Sequence, residues 1–244
     1  ATATSMAAVL AHSGFYAAVA EDNRRVVGMC FLDERATVVG LGPIAVDPKA
    51  QGGSVGRQLM QHVLDRADRD GREGVRLVQA AYNNQSLSLY VKLGFEVREP
   101  LSVMQGAPIS STVPGLKVRT ARQADLTFCN ELCFQVHGYD RSRELAESIH
   151  AKSATVVETE ERICGYATCV GFRGHAVGES NDVLRALIGE ARVFPGTGFL
   201  LPSRNSELFR WCLDQGLRVM QQMTYMSRGR YDDPRGRFLP SILA

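Results

Sequence analysis

Between Ile44 and Arg57 the chain reads IAVDPKAQGGSVGR, and the residue types in that order can hold an anion. An apolar run, Ile44-Ala45-Val46, is stopped by Asp47-Pro48, because proline removes a ladder donor and biases its neighbour toward extended geometry. A glycine-bearing turn from Gln51 to Gly56 then feeds apolar residues at helical spacing: Val55, Leu59, Met60, Val63 and Leu64. A strand, a glycine turn and a helix in succession aim unpaired backbone N–H groups and a positive helix end at one point. Arg57, in the first helical turn, can add a charge-assisted contact. A Walker loop is excluded, since Gly56 is followed by Arg57 and Gln58 instead of Lys and Ser/Thr. A dinucleotide fingerprint on Gly40-x-Gly42-x-x-Ala45 is excluded too, because those residues lie inside the apolar run and open no helix.

A second stretch follows the apolar strand Val75 to Ala80: Asn83-Asn84-Gln85-Ser86-Leu87-Ser88-Leu89-Tyr90-Val91-Lys92-Leu93-Gly94-Phe95. It reads as a short helix with an Asn cap at its start and a glycine stop at Gly94. Together the two stretches resemble the GNAT superfamily of acyl-CoA-dependent N-acetyltransferases. The first family motif, Q/R-x-x-G-x-G/A, is matched by Gln51 and Gly56, with Ser54 where the first glycine is usual. The second, N-x-x-A-x-x-L-Y-x-x-x-G-F, is matched by Asn83, Leu89, Tyr90, Gly94 and Phe95, with Ser86 in the small-residue place. The resemblance covers roughly the first hundred residues.

The resemblance implies that acetyl-CoA is co-substrate. Its pantetheine arm would pair with the backbone of Ile44, Ala45 and Val46, and its pyrophosphate would sit on the amides of Gln51, Gly52, Gly53, Ser54, Val55, Gly56 and Arg57. Ser54 can serve through its backbone N–H, although its Cβ restricts the positive φ that glycine allows. Asn83, with Asn84 beside it, would hydrogen-bond the pantetheine or cap the helix. Tyr90 would be the acid, a phenol of pKa about 10 handing its proton to the departing thiolate. The general base is open. The family's strand glutamate has no counterpart at Gly40, Leu41 or Gly42, leaving ordered water, Asp33, Glu34 or His137. The implied reaction is acetyl transfer to a primary amine by direct attack in a ternary complex, on a small-molecule amine. The alternative is an acyl-CoA-binding regulatory or scaffold protein without turnover.

The elements that position these residues predict an α/β fold of two GNAT-like domains, each a mixed, mostly antiparallel sheet flanked by helices. The first domain is expected over residues 1–106, a Pro/Gly/Ser-rich linker over 107–116 and the second domain over 117–244. The first begins with a helix end at 5–12 and a hairpin about 21–25, without the strand and helices that precede this point in the family. Its later strands are expected at 75–81, 95–98 and 102–105. The second repeats the pattern, with helices to about 136 and over 142–151 and a hairpin turning at Glu160-Glu161-Arg162. Asn205 to Gly216 keeps the separation of Asn83 to Gly94, but Cys212 stands opposite Tyr90, and Glu179 precedes the helix where the glycine motif would fall. That half reads as degenerate, without its coenzyme site.

Composition bounds the rest. The 244 residues carry a formal net charge of +2 and no basic run, which argues against nucleic-acid binding. No apolar stretch approaches the roughly 18 residues of a membrane span, and no signal peptide is visible. Cys30, Cys129, Cys133, Cys164, Cys169 and Cys212 lie mostly in apolar runs and read as buried thiols of a cytoplasmic protein, with no metal site. Oligomeric state is not legible.

Overall fold

The computed structural model describes residues 7, 9–160 and 162–243, so the helix end expected at 5–12 and the turn at Glu161 lie partly outside them. β1 (Phe15–Asp22) and β2 (Arg25–Asp33) form the expected hairpin, with Asn23 and Arg24, both at positive φ, as its two-residue turn. β3 (Val38–Val46) pairs antiparallel with β2. Then come α1 (Val55–Arg69), β4 (Gly74–Ala80), α2 (Asn84–Lys92) and β5 (Glu96–Gln105). Two short strands were expected around Pro100, but β5 is continuous. Proline has no N–H to give the ladder, and a register shift at Tyr225/Met226 of the neighbouring strand falls close to it. Residues 107–116 have no helix or strand, and Ile109, Val113 and Leu116 pack onto the core of the following half.

The second half contains β6 (Lys117–Thr120), α3 (Leu126–His137), α4 (Ser142–His150), β7 (Thr155–Glu158), β8 (Ile163–Ala167) and β9 (Ala176–Gly178). It continues with α5 (Asn181–Glu190), β10 (Phe199–Pro202), α6 (Ser206–Asp214), β11 (Arg218–Gly229) and β12 (Arg237–Leu239). The run β7-β8-β9-α5-β10-α6-β11 repeats the order β1-β2-β3-α1-β4-α2-β5.

The fold is α/β, with one mixed sheet, parallel only at β3/β4, and, where a second mixed sheet was expected, one that is wholly antiparallel; strand pairing crosses the linker. The seven-stranded sheet has the order β1-β2-β3-β4-β11-β5-β10, and the five-stranded sheet has the order β12-β9-β8-β7-β6. β11, from near the C-terminal end, thus lies between β4 and β5 and bonds antiparallel to both. Its Met226 is fully buried in the first core, against α1, β4 and Phe95. Burying such a side chain stabilises by about 1.5–3 kcal/mol, so the first core is incomplete without the second half.

Met226→Ala is accordingly expected to destabilise the chain by about 3 kcal/mol, and denaturant unfolding is expected to stay a single transition. Two transitions, with only one shifted, would contradict this interleaving.

Candidate active site

The site begins where two parallel strands part. β3 and β4 are hydrogen-bonded only over Val38–Gly40 and Gly74–Arg76. Beyond Gly40, β3 keeps β2 on one edge and has no ladder partner on the other, while β4 continues beside β11. The free edge of Ile44, Ala45 and Val46 lines a groove of about 460 Å³. Gln51, Gly52, Ser54, Val55, Gly56, Arg57, Asn83 and Tyr90 line the same groove. Among the residues expected there, Gly53 and Asn84 do not line it.

At the mouth of α1 the backbone amides from Gln51 to Arg57 donate to no protein acceptor among the described residues; the first helical bond there is Gln58 N–H to Ser54 O, 2.9 Å. No side chain caps the helix. These seven amides, six of them on residues that line the groove, and the positive end of a fifteen-residue helix are thus left without a partner among the described residues. Ser54 sits at φ 68°, in the left-handed region, and its Oγ accepts from Gln58 Nε2 at 2.7 Å. A Cβ on Gly56 would meet Val46 and Leu89 at ordinary distances of 3.7 and 3.9 Å, so the fold itself tolerates a methyl there. Gln51 is tied back to the end of β3 by Nε2 donating to Val46 O, 3.2 Å.

α2 brings up the second set. Asn83 caps it, Oδ1 accepting from Ser86 N at 3.0 Å, which leaves its amide nitrogen for a ligand. Tyr90 is 6% exposed and packs edge-on to Phe95. Burial raises its pKa above the ordinary phenol value, against a smaller opposing effect from its hydrogen bond with Ser86. Tyr90 also lines a second cavity, of about 910 Å³, on the other side of the parting. That cavity is walled partly by the second half, through Phe172, Arg173, Pro195, Thr197, Ile242 and Leu243. None of these was legible in the sequence, since they come from loops and the C-terminal end. Gln79, a lone amide in an otherwise apolar part of β4, was the one visible signal.

None of the side chains considered as a base lines this cavity. Asp33 is held by Arg35 (Nε to Oδ1, 2.8 Å), and Glu34 by Arg66 (Nε to Oε1, 2.7 Å). His137 is buried edge-on against Phe238, and burial, with Arg76 and Arg141 nearby, lowers its pKa well below the usual imidazole value. Of the three strand positions considered, Gly40 has no room for a side chain, since a Cβ there would lie 1.7 Å from the backbone oxygen of Leu243; Leu41 is buried, and Gly42 has a positive φ of 137° with open space around it.

The corresponding features of the second half differ. Ser180 caps α5, Oγ accepting from Val183 N at 3.3 Å, and Glu179 before it pairs with Arg162. β12 bonds along β9, filling the edge that β3 leaves open. Cys212, opposite Tyr90 in the repeat, is buried, and its thiol is pushed up to about 12.

A family model described as an acetyltransferase (GNAT) domain matches residues 12–97, the segment that builds the groove. Residues 12–97 are a GNAT domain. Over 54 residues the chain is 48% identical to a mycothiol acetyltransferase from Brachybacterium faecium, and over 88 residues 33% identical to an IAA acetyltransferase from Azospirillum brasilense. Those matches take in 22% and 30% of this chain and 16% and 58% of the relatives, so the chain spans less than two thirds of either. Beyond the GNAT segment the fold is shared more widely. A Pyrococcus horikoshii protein assigned as an acetyltransferase superposes with TM-score 0.73 at 17% identity, over 93% of this chain and 78% of its own. A GCN5-related N-acetyltransferase from Sphaerobacter thermophilus gives 0.56 at 16% identity, over 89% and 81%. Among the described residues, no helix is long and apolar enough to cross a membrane, and no three His, Cys, Asp or Glu side chains are grouped to hold a metal.

The strain at Ser54 is measurable. A left-handed non-glycine residue costs roughly 1–2 kcal/mol, part of which glycine returns as unfolded-state entropy. Ser54→Gly is therefore expected to raise the unfolding free energy by about 0.5–1 kcal/mol; a loss of stability would mean that the Gln58 contact outweighs the strain.

Proposed function

We propose that the chain is an N-acetyltransferase that moves an acetyl group from acetyl-CoA to a primary amine of small size, by direct attack in a ternary complex. The observation that carries this reading is the position of Tyr90, which lines both the groove and the cavity beyond it. Ile44, Asn83 and Ser86 line both as well, so the two compartments adjoin at these side chains, and Tyr90 is the one among them with an acid to offer.

The residues fit the coenzyme. An oxyanion-rich diphosphate answers the unpaired amides from Gln51 to Arg57, with Arg57 beside them, and an amide-bearing arm answers the free edge of Ile44, Ala45 and Val46. When bound, acetyl-CoA supplies an acetyl group activated as a thioester. Tyr90 keeps a proton on its phenol oxygen for the departing sulfur, and its raised pKa keeps that proton in place across the neutral range. Asn83 offers an amide donor on the coenzyme side. The amine's own proton leaves to water, as no carboxylate or imidazole is among the cavity's described lining residues. The second half, on this reading, is a GNAT-like repeat without a coenzyme site, serving as partner of the sheet and wall of the cavity.

The missing base also favours a second reading, a coenzyme-binding scaffold without turnover. Thiol release from acetyl-CoA over a panel of amines separates the two. Transfer predicts release with at least one amine; thermal stabilisation by acetyl-CoA with no release for any amine is the scaffold's result.

Tyr90→Phe is expected to lower kcat by about 10²-fold or more while leaving stabilisation by acetyl-CoA unchanged. The phenol acts while protonated and burial raises its pKa, so activity should rise with pH as the amine deprotonates and fall only above about pH 10. A descending limb near neutrality would assign the acid to another group.

A further inference from the structure

The cavity beyond Tyr90 contains two polar side chains that have no partner among the described residues. Gln79, 6% exposed, has both side-chain amide atoms buried without a hydrogen-bond partner. A buried amide left so is costly, and a ligand offering a donor and an acceptor would remove the cost. Arg173 is exposed at the cavity wall and its guanidinium forms no ion pair among the described residues. Its loop is nevertheless fixed: Ser241 Oγ donates to Arg173 O at 2.9 Å, and Ile242 N–H donates to Phe172 O at 2.9 Å.

The cavity is also selective by what lines it. No Asp or Glu is present among its described lining residues; Leu41, Pro43, Phe172, Ile242 and Leu243 give it apolar wall, and Asn83, Ser86, Tyr90 and Thr197 add only uncharged polar groups. The hollow beside α3 differs, being lined by Asp125, Glu131, Glu158, Glu160 and Glu179. A second ammonium brought into the Tyr90 cavity would leave water for apolar walls and meet Arg173 with no carboxylate to offset either cost.

We propose that the acceptor is a small monoamine with an apolar side chain and a single oxyanion, carboxylate or phosphonate, held by Arg173 and Gln79. Free amino acids with apolar side chains have this chemistry; polyamines and aminoglycosides do not. The same surroundings supply what the site lacks in a base. Apolar walls and a nearby guanidinium both disfavour the ammonium form, so a bound amine sheds its proton to water more readily and presents the nucleophilic nitrogen. This inference rests on the acetyl-transfer reading above and names its substrate class.

The test measures thiol release from acetyl-CoA with L-leucine, its phosphonate analogue, leucinamide and spermidine, for the full chain and for Arg173→Gln and Arg173→Lys. Leucine or its phosphonate is expected to exceed leucinamide and spermidine in kcat/KM by tenfold or more, and whichever is preferred identifies the anion. Arg173→Gln is expected to raise KM for that acceptor about tenfold or more without changing KM for leucinamide, and Arg173→Lys to recover part of the loss. Preference for spermidine, no release with either anionic amine, or an Arg173→Gln effect equal for all acceptors overturns the inference. Stabilisation by acetyl-CoA is read in parallel. A protein that acetyl-CoA stabilises but that prefers spermidine overturns the substrate class alone, and one that acetyl-CoA does not stabilise overturns the transfer reading beneath it.

Discussion

The parting of β3 from β4 after Gly40 is the constraint on which the rest depends. While the strands stay bonded, over Val38–Gly40, no space exists between them. Once they diverge, β3 exposes a row of unpaired backbone groups, and α1, which follows β3 through a glycine turn, points its bare amides into the same gap. Backbone polar groups left without partners are expensive in a folded protein unless water or a ligand meets them. A gap that leaves so many in one place suits the coenzyme on the proposed reading, with contacts made almost wholly by main chain. That is why Ser54 can replace a glycine there, at a cost in backbone strain, without removing the donor that matters.

The second half has the same order of elements with the same gap closed. Its helix start is capped by Ser180, a glutamate stands before it, and β12 lies along β9 where a ligand arm would run. What that half contributes instead is structural reach. β11 completes the first sheet, and the segment after β12 crosses Gly40 and walls the cavity with Ile242 and Leu243. The backbone of Leu243 occupies the space that a strand side chain at residue 40 would need, so the absence of a carboxylate there follows from packing.

The parts of this architecture legible in the sequence were the local ones. The strand stop at Asp47-Pro48, the glycine turn, the helical spacing from Val55 and the Asn83-to-Gly94 unit each depend on residues close together in the chain, and each lies where its spacing placed it. Gly53 was the exception within the turn, being next to the groove without lining it. The insertion of β11 between β4 and β5 was not legible, because pairing across more than a hundred residues leaves no local spacing to read. The cavity was hidden for the same reason. Phe172 was expected at the end of a strand running from Ile163, but that strand stops at Ala167; Phe172, Arg173 and Thr197 lie in loops, and their meeting with Gln79 is a product of the interleaved sheets.

The most direct test of the central claim is the backbone amide spectrum of the nitrogen-15-labelled full chain, recorded as acetyl-CoA is added. The account predicts that the largest shifts fall on the amides from Gln51 to Arg57, with those of Asn181 to Val183 at the start of α5 unmoved. Shifts centred on α5, or none at the mouth of α1 at saturating acetyl-CoA, would contradict it.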